Sequence, residues 1–267
     1  MKLNNESKTL FIPLLGRAQM SKKDLFLKDL KAEEIIDKVD YDFKSLKQTK
    51  WLSMYMSLRG LLIDELTNKY LSNNKNITVI HLGCGLDSRC LRIKENYKIW
   101  YDLDYEEVIE VRKDFYKEDD KYKMIGSSVT DYKWLDEIDD NNNILIIMEG
   151  LTMYLSRAEI IELISMIERK FKNVYLIFDA YTNKAVKASK YKNPVNQMNA
   201  SIKYGIDNYE EFLKYNNKLE YVSSHVIRKK DNELKGLTKM IFNNLYCGKI
   251  SEGLYKIYEF KLKEEEK

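Results

Sequence analysis

Five short apolar runs recur between residues 77 and 179: ITVIHL, KIWYDLD, YKMIGSS, NILIIM and VYLIFD. Each has strand length and is rich in β-branched or aromatic residues, and NILIIM (143–148) reads as a strand buried on both faces. Helix-patterned segments lie between them. YEEVIEVRKDFYKE puts Val108, Val111 and Phe115 on one side, and RAEIIELISMIERKF follows an S-x-x-E capping box at Ser156 and Glu159. Strands alternating with helices at this spacing imply βαβ units. The expected class is therefore α/β, with a mostly parallel sheet covered on both faces.

Ahead of the first run, residues 24–39 and 50–72 read as helices, the second with Leu58, Leu61, Leu62 and Leu66 at helical spacing. After Asp179 the regularity fades. Residues 182–220 are polar and contain Pro194; then come HVIRKK, the helix ELKGLTKMIFNNLY, a turn GKISEG and a last strand LYKIYEFKL. The expected organisation is an N-terminal helical cap (1–75), a ligand-binding core (76–181), an irregular substrate-side insertion (182–233), and a C-terminal helix and strand completing the sheet (234–267). A long irregular segment late in an α/β domain usually shapes the ligand site.

Composition excludes several classes. Lys and Arg number 45 against 42 Asp and Glu, a net charge of +3, which leaves no basic footprint for nucleic acid. The apolar run LFIPLLG is interrupted by Pro13 and is too short for a secretion signal, and no run approaches the ~18 residues of a membrane span. Cys84, Cys90 and Cys247 form no CxxC pair, so reduced thiols in the cytoplasm are expected. With only His81 and His225, neither near a Cys or carboxylate cluster in sequence, no metal site is expected. A GxSxG nucleophile elbow is missing.

The first strand runs into HLGCGLDSR. Gly83 and Gly85 let the backbone approach a ligand at the carboxyl edge of the sheet. About 20 residues on, Asp102 or Asp104 ends the second strand, where a carboxylate can accept from both ribose hydroxyls. A dinucleotide site would want a small third residue and an uncharged loop facing the pyrophosphate. Ser88 and Asp87 stand there instead and disfavour NAD. S-adenosylmethionine carries no phosphate, and its cationic groups suit carboxylates. MEGLTMYL after the fourth strand, SSVTDYKWL after the third and Arg59 within an apolar helix agree with that ligand.

GRAQMSKKDLFLKDLKAEEII, SLRGLLIDEL, HLGCGLDSR, YDLDYEEVIEVRK, VTDYKWLD and MEGLTMYL occur in the order seen in the leucine carboxyl methyltransferase-like family. The chain resembles that family, including its polyketide-synthesis O-methyltransferases, over roughly residues 13–181. The resemblance implies a Rossmann-like class I methyltransferase fold with a seven-stranded sheet, S-adenosylmethionine as cofactor and S-adenosylhomocysteine as its product. It further implies that Gly83, Gly85 and Asp87 form the cofactor loop and that Asp104, or its neighbour Asp102, holds the ribose. Asp131 with Tyr132 would flank the adenine, and Glu149 would face the cofactor. Arg59, with Lys22 or Lys23, would pair with the methionine carboxylate. Tyr154 would line the methyl-transfer pocket, and Arg17 would help close the site and orient the acceptor.

Plainer readings stand beside these. Arg59 could snorkel to water, Asp102 and Asp104 could form the strand-end turn, Asp131 could cap a short helix, and Tyr154 could pack in the core. Glu149, directly after NILIIM, needs a partner wherever it sits. The function expected is methylation of an oxygen on a small molecule, with a carboxylate as acceptor. The rival classes are a non-catalytic binding protein that keeps the fold and an NAD-dependent oxidoreductase. The C-terminal cover matches no phosphatase-specific pattern, which speaks against a peptide C-terminus as acceptor.

Overall fold

The computed structural model describes residues 3–4, 7–139, 143–190, 201–227 and 234–263. Its sheet is built from β1 (Thr78–Leu82), β2 (Ile99–Asp104), β3 (Tyr122–Gly126), β4 (Asn143–Met148), β5 (Asn173–Tyr181), β6 (Leu219–His225) and β7 (Tyr255–Leu262). The order across this seven-stranded sheet is β3-β2-β1-β4-β5-β7-β6. The pairs among β1 to β5 are parallel, and β7 runs antiparallel between β5 and β6. The class and the sheet are as the sequence implies.

Both faces are covered, so alternate residues of the same strand enter different cores. Val79, Trp100, Leu145 and Ile147 pack on the side of the N-terminal helices. Ile80, Leu103, Ile144 and Ile146 pack with Ile160, Leu163, Ile164 and Ile167. The latter belong to α6 (Arg157–Lys170), whose capping box of Ser156 and Glu159 is formed. On the other face lie α1 (Phe11–Ser21), α2 (Leu30–Lys38) and α3 (Lys50–Asn73), with Asp29 and Thr49 capping the second and third. Two short elements follow β1 and β2: α4 (Arg89–Arg92) and α5 (Glu106–Lys113).

The sequence reading of 24–39 as one helix is corrected. Residues 24–29 form a turn in which Asp24 and Phe26 take positive φ (54° and 63°), and α2 begins only after Asp29. α1 was not anticipated, because Pro13 looked like a break. It occupies the first turn, where its missing N–H has no intrahelical partner to lose. Within 182–233 the described residues hold a helix at Asn183–Ser189 (α7), a helix at Tyr209–Leu213 and strand β6. Pro194, Glu233 and the RKK of HVIRKK lie outside the described residues. In place of the turn GKISEG a short helix, Lys249–Glu252, forms.

Strand order reverses between β1 and β4. The loops leaving their carboxyl ends diverge there and open a crevice. In this chain the N-terminal helices close it from above.

Candidate active site

Gly83 and Gly85 take positive φ (66° and 53°) at the end of β1. A Cβ on Gly83 would come within 3.2 Å of the Leu151 side chain, and one on Gly85 within 3.2 Å of Leu10 Cβ. The loop is therefore wedged between the β4 loop and the N-terminal segment, with its backbone bared. A cavity of ≈ 400 Å³ lies along it, bounded by the loops after β1, β2, β3 and β4 and by residues of α1 and α3.

At one end Asp104 lines the cavity and remains partly exposed. Its carboxylate accepts from Gly85 N at 2.7 Å and Tyr105 N at 2.8 Å. Burial pushes its pKa up to about 6 against those hydrogen bonds. Asp102, two residues earlier on the same side of β2, is buried away from the cavity. It binds Arg112, Tyr122 Oη (2.8 Å) and Trp100 Nε1 (2.9 Å). Burial opposes its charge, but Arg112 outweighs it and holds the carboxyl at about 2. Beyond Asp104 the wall is Val108, Ser127 and Val129. Asp131 is exposed and caps the short 3₁₀ helix Tyr132–Glu137; neither Asp131 nor Tyr132 lines the cavity.

The other end is a buried network of guanidiniums and carboxylates. Glu149 accepts from Arg59 Nε at 2.8 Å and from Arg89 Nη2. Asp87 faces Arg92 Nη1 at 2.8 Å, Arg89 Nη1 at 3.3 Å and Arg17 Nη2 at 3.7 Å. Asp29 and Asp64 complete it behind the loop. Burial disfavours both Glu149 and Asp87 as anions. The arginines win, holding Glu149 at about 2 and Asp87 well below the usual carboxylate range. Asp179, at the end of β5, accepts from Gly150 N (2.7 Å) and Tyr255 Oη and sits 3.4 Å from Arg59 Nη1. There burial dominates and its pKa rises.

Of the network, Arg17, Arg59, Asp87 and Glu149 reach the cavity wall. Lys22 and Lys23 do not: Lys22 is exposed and pairs with Asp37 at 2.8 Å, and Lys23 is exposed beside it. Past Glu149 the wall turns apolar, with Pro13, Leu52, Met56, Met153 and Ile202 joined by Tyr154 and Tyr181. His225 is elsewhere, 2.6 Å from Glu259 at the β6–β7 pair. His81 lies on the cavity floor, 1% exposed, between Asp102 and Arg89.

Residues 11–168 match the profile of the family described as leucine carboxyl methyltransferase. The tetracenomycin polyketide synthesis O-methyltransferase TcmP of Streptomyces glaucescens is 33% identical over 210 residues, 78% of each chain. The chain belongs to the leucine carboxyl methyltransferase family. The S-adenosyl-L-methionine-dependent methyltransferase dpfgK of Gibberella zeae is 27% identical over 188 residues, 64% of this chain and 63% of its own. In fold it is similar to magnesium protoporphyrin IX methyltransferase of Synechocystis with bound SAH. That likeness has a TM-score of 0.52 and 10% identity over 95% of this chain and 99% of the other. The N-methyltransferase NodS of Bradyrhizobium japonicum with SAH gives a TM-score of 0.52 and 10% identity over 88% and 99%. This member of the family is an S-adenosylmethionine-dependent O-methyltransferase.

The cavity suits that cofactor. Two glycines leave backbone where a Cβ would crowd Leu151 and Leu10, one end offers a carboxylate for hydroxyl donors, and the other mixes anions with cations as an amino acid tail requires.

The sequence reading missed Asp29, Arg89, Arg92 and Asp179. Arg89 and Arg92 carried a faint signal: two cations three residues apart after an apolar strand, in a segment short of solvent. Asp29 and Asp179 carried none beyond the ordinary helix cap and strand end.

Proposed function

We propose that the enzyme methylates a carboxylate of a small molecule. The observation that carries this is the state of the described residues, away from Asp104 at the ribose end, that could deprotonate a hydroxyl. Glu149, held at about 2 between Arg59 and Arg89, is far too weak a base for a phenol of pKa about 10. His225 is outside the cavity, and His81 is enclosed between Asp102 and Arg89. A carboxylate acceptor needs no base, being ionised at neutral pH.

Bound S-adenosylmethionine supplies a methyl group on a sulfonium, a leaving group already activated. The protein's task is then to hold donor and acceptor in line and dry. We assign Asp104 to the ribose hydroxyls, Gly83 and Gly85 to the close backbone approach, and Glu149 and Asp87 to the ammonium side. Arg59 holds the methionine carboxylate. Arg17, beside Asp87, is assigned with it, in place of Lys22 or Lys23 and of its expected place at the acceptor. Tyr154, on the apolar side of Glu149, orients the acceptor. Asp131 and Tyr132, just beyond the cavity wall, are left at the adenine rim. The buried thiols of Cys84 and Cys90, which no disulfide joins, support a cytoplasmic location, where thiols stay reduced.

The test uses S-adenosylmethionine labelled in its methyl group and two panels of small acceptors, carboxylic acids and phenols. Label should enter acids and be released by mild alkali, as methyl esters are. Alkali-stable label on phenols, with none on acids, would overturn the proposal.

A further inference from the structure

Asp29 is 1% exposed and belongs to no part of the cavity wall, yet its carboxylate joins four elements. Oδ1 accepts from Ala32 N at 2.9 Å, capping α2, and from Ser88 Oγ at 2.5 Å in the glycine loop. Oδ2 accepts from Arg17 Nε at 3.0 Å on α1 and from Arg92 Nη1 at 3.0 Å on α4. Its own N–H donates to Ser21 Oγ at 2.8 Å. A helix cap needs only one of these oxygens. The second faces two guanidiniums, one of which reaches the cavity.

Arg17 leaves α1 through this contact. With Nε fixed on Asp29, its Nη2 lies 3.7 Å from Asp87 Oδ1 at the cavity wall. Arg92 makes the same bridge from behind, touching Asp29 at 3.0 Å and Asp87 at 2.8 Å. We infer that Asp29 is a positioning residue for the methyl donor: its second carboxylate oxygen aims Arg17 at the methionine end of the cavity, so donor affinity depends on a group the donor never touches. This rests on the donor site proposed above. It has a structural corollary, since α1 is tied to the glycine loop through the same oxygen pair. The covering helix and the loop beneath it are set by one charge.

Asp29→Asn separates this role from capping. The amide oxygen still serves Ala32 N, which puts the NH₂ group against two guanidiniums that also only donate. Binding of S-adenosylhomocysteine is measured by calorimetry for wild type, Asp29→Asn, Arg17→Ala and the double variant. Asp29→Asn and Arg17→Ala should each weaken binding about tenfold, the loss of one charge-assisted contact. The double variant should bind no more weakly than Arg17→Ala alone, because of the two guanidiniums on Asp29 only Arg17 lines the cavity. Wild-type affinity in Asp29→Asn or in Arg17→Ala overturns the inference and leaves the donor site standing. So does a loss in the double variant that multiplies the single losses. Failure of the wild type to bind would instead sink the donor site itself. If Asp29→Asn does not fold, Asp29→Glu, which keeps the charge but displaces it by a methylene, is put through the same cycle with the same criteria.

Discussion

Asp104 is where acidity should be felt first. Burial raises its carboxyl to about 6, and the ribose hydroxyls assigned to it above would donate more strongly to the ionised form. The sign follows directly. Above pH 6 the carboxylate is in place and affinity is at its plateau. As pH falls through 6 the carboxyl takes up its proton and becomes a weaker acceptor, so the dissociation constant of S-adenosylhomocysteine should rise, by at most about tenfold per unit below 6. Asp104→Asn should bind weakly throughout and flatten this slope, as calorimetry between pH 5 and 8 would read. Glu149 and Asp87 add no such dependence in that range, since their arginines keep them ionised far below it. The two ends of one cavity thus differ in what they ask of pH. Burial carries Asp104 to about 6 because its two backbone amides do not outweigh it, whereas the guanidiniums around Glu149 and Asp87 do.

At the scale of elements, the glycine loop and the α6 cap should respond differently to small changes. Gly83→Ala places a methyl 3.2 Å from Leu151 at a φ of 66°, a strain of about 1–2 kcal/mol, in backbone that lines the cavity. Ser156→Ala removes the cap of α6 at a similar cost of about 1 kcal/mol. Denaturant melts should find both destabilised. Only Gly83→Ala should also lose affinity for S-adenosylhomocysteine, since α6 packs on the far face of the sheet. These elements were legible in the sequence because burial on both faces leaves β-branched runs such as NILIIM, and because caps have local chemistry. β6 was not. It is a sheet edge whose Ser223 and His225 satisfy Glu259 across the ladder, so polar residues stand where a pattern seeks apolar ones. Asp102 and Asp104 share a face of β2 and spacing could not separate them. Depth does: Asp102 pairs within the ladder opposite Met124, and Asp104 ends it. Lys22 and Arg17 were likewise a matter of direction. Lys22 falls at the C-terminal cap of α1 and turns outward, five residues past Arg17, which turns in.

For the whole molecule, the cavity is the place where the N-terminal helices meet the sheet. Pro13, Arg17, Leu52, Met56 and Arg59 bound it from one side and the strand-end loops from the other. A ligand lodged between them adds contacts to both. S-adenosylhomocysteine at 100 times its dissociation constant should stabilise the fold by about 2.7 kcal/mol, a rise of roughly 5–10 °C in Tm for a chain of this size. A thermal melt with no shift at saturating ligand would mean that the cavity does not take it. The network at that junction explains why the cap holds before any ligand arrives. Asp29 and Asp64 reach from the cap to Arg89 and Arg92 of the core, and Arg59 reaches Glu149 and Asp179. Removing one partner would strand a buried charge, so the ring is costly to break at any single point.

The sheet order has a consequence for the chain while it is being made. β7 lies between β5 and β6 but is translated after both, and it also carries Tyr255, whose hydroxyl reaches Asp179 beside Arg59. Until residues 255–262 leave the ribosome, two strands wait with open edges toward each other, and the carboxylate of Asp179 beside Arg59 waits with them. A nascent chain of this protein therefore keeps two facing strand edges open until late in synthesis, and a single closing strand pairs both at once.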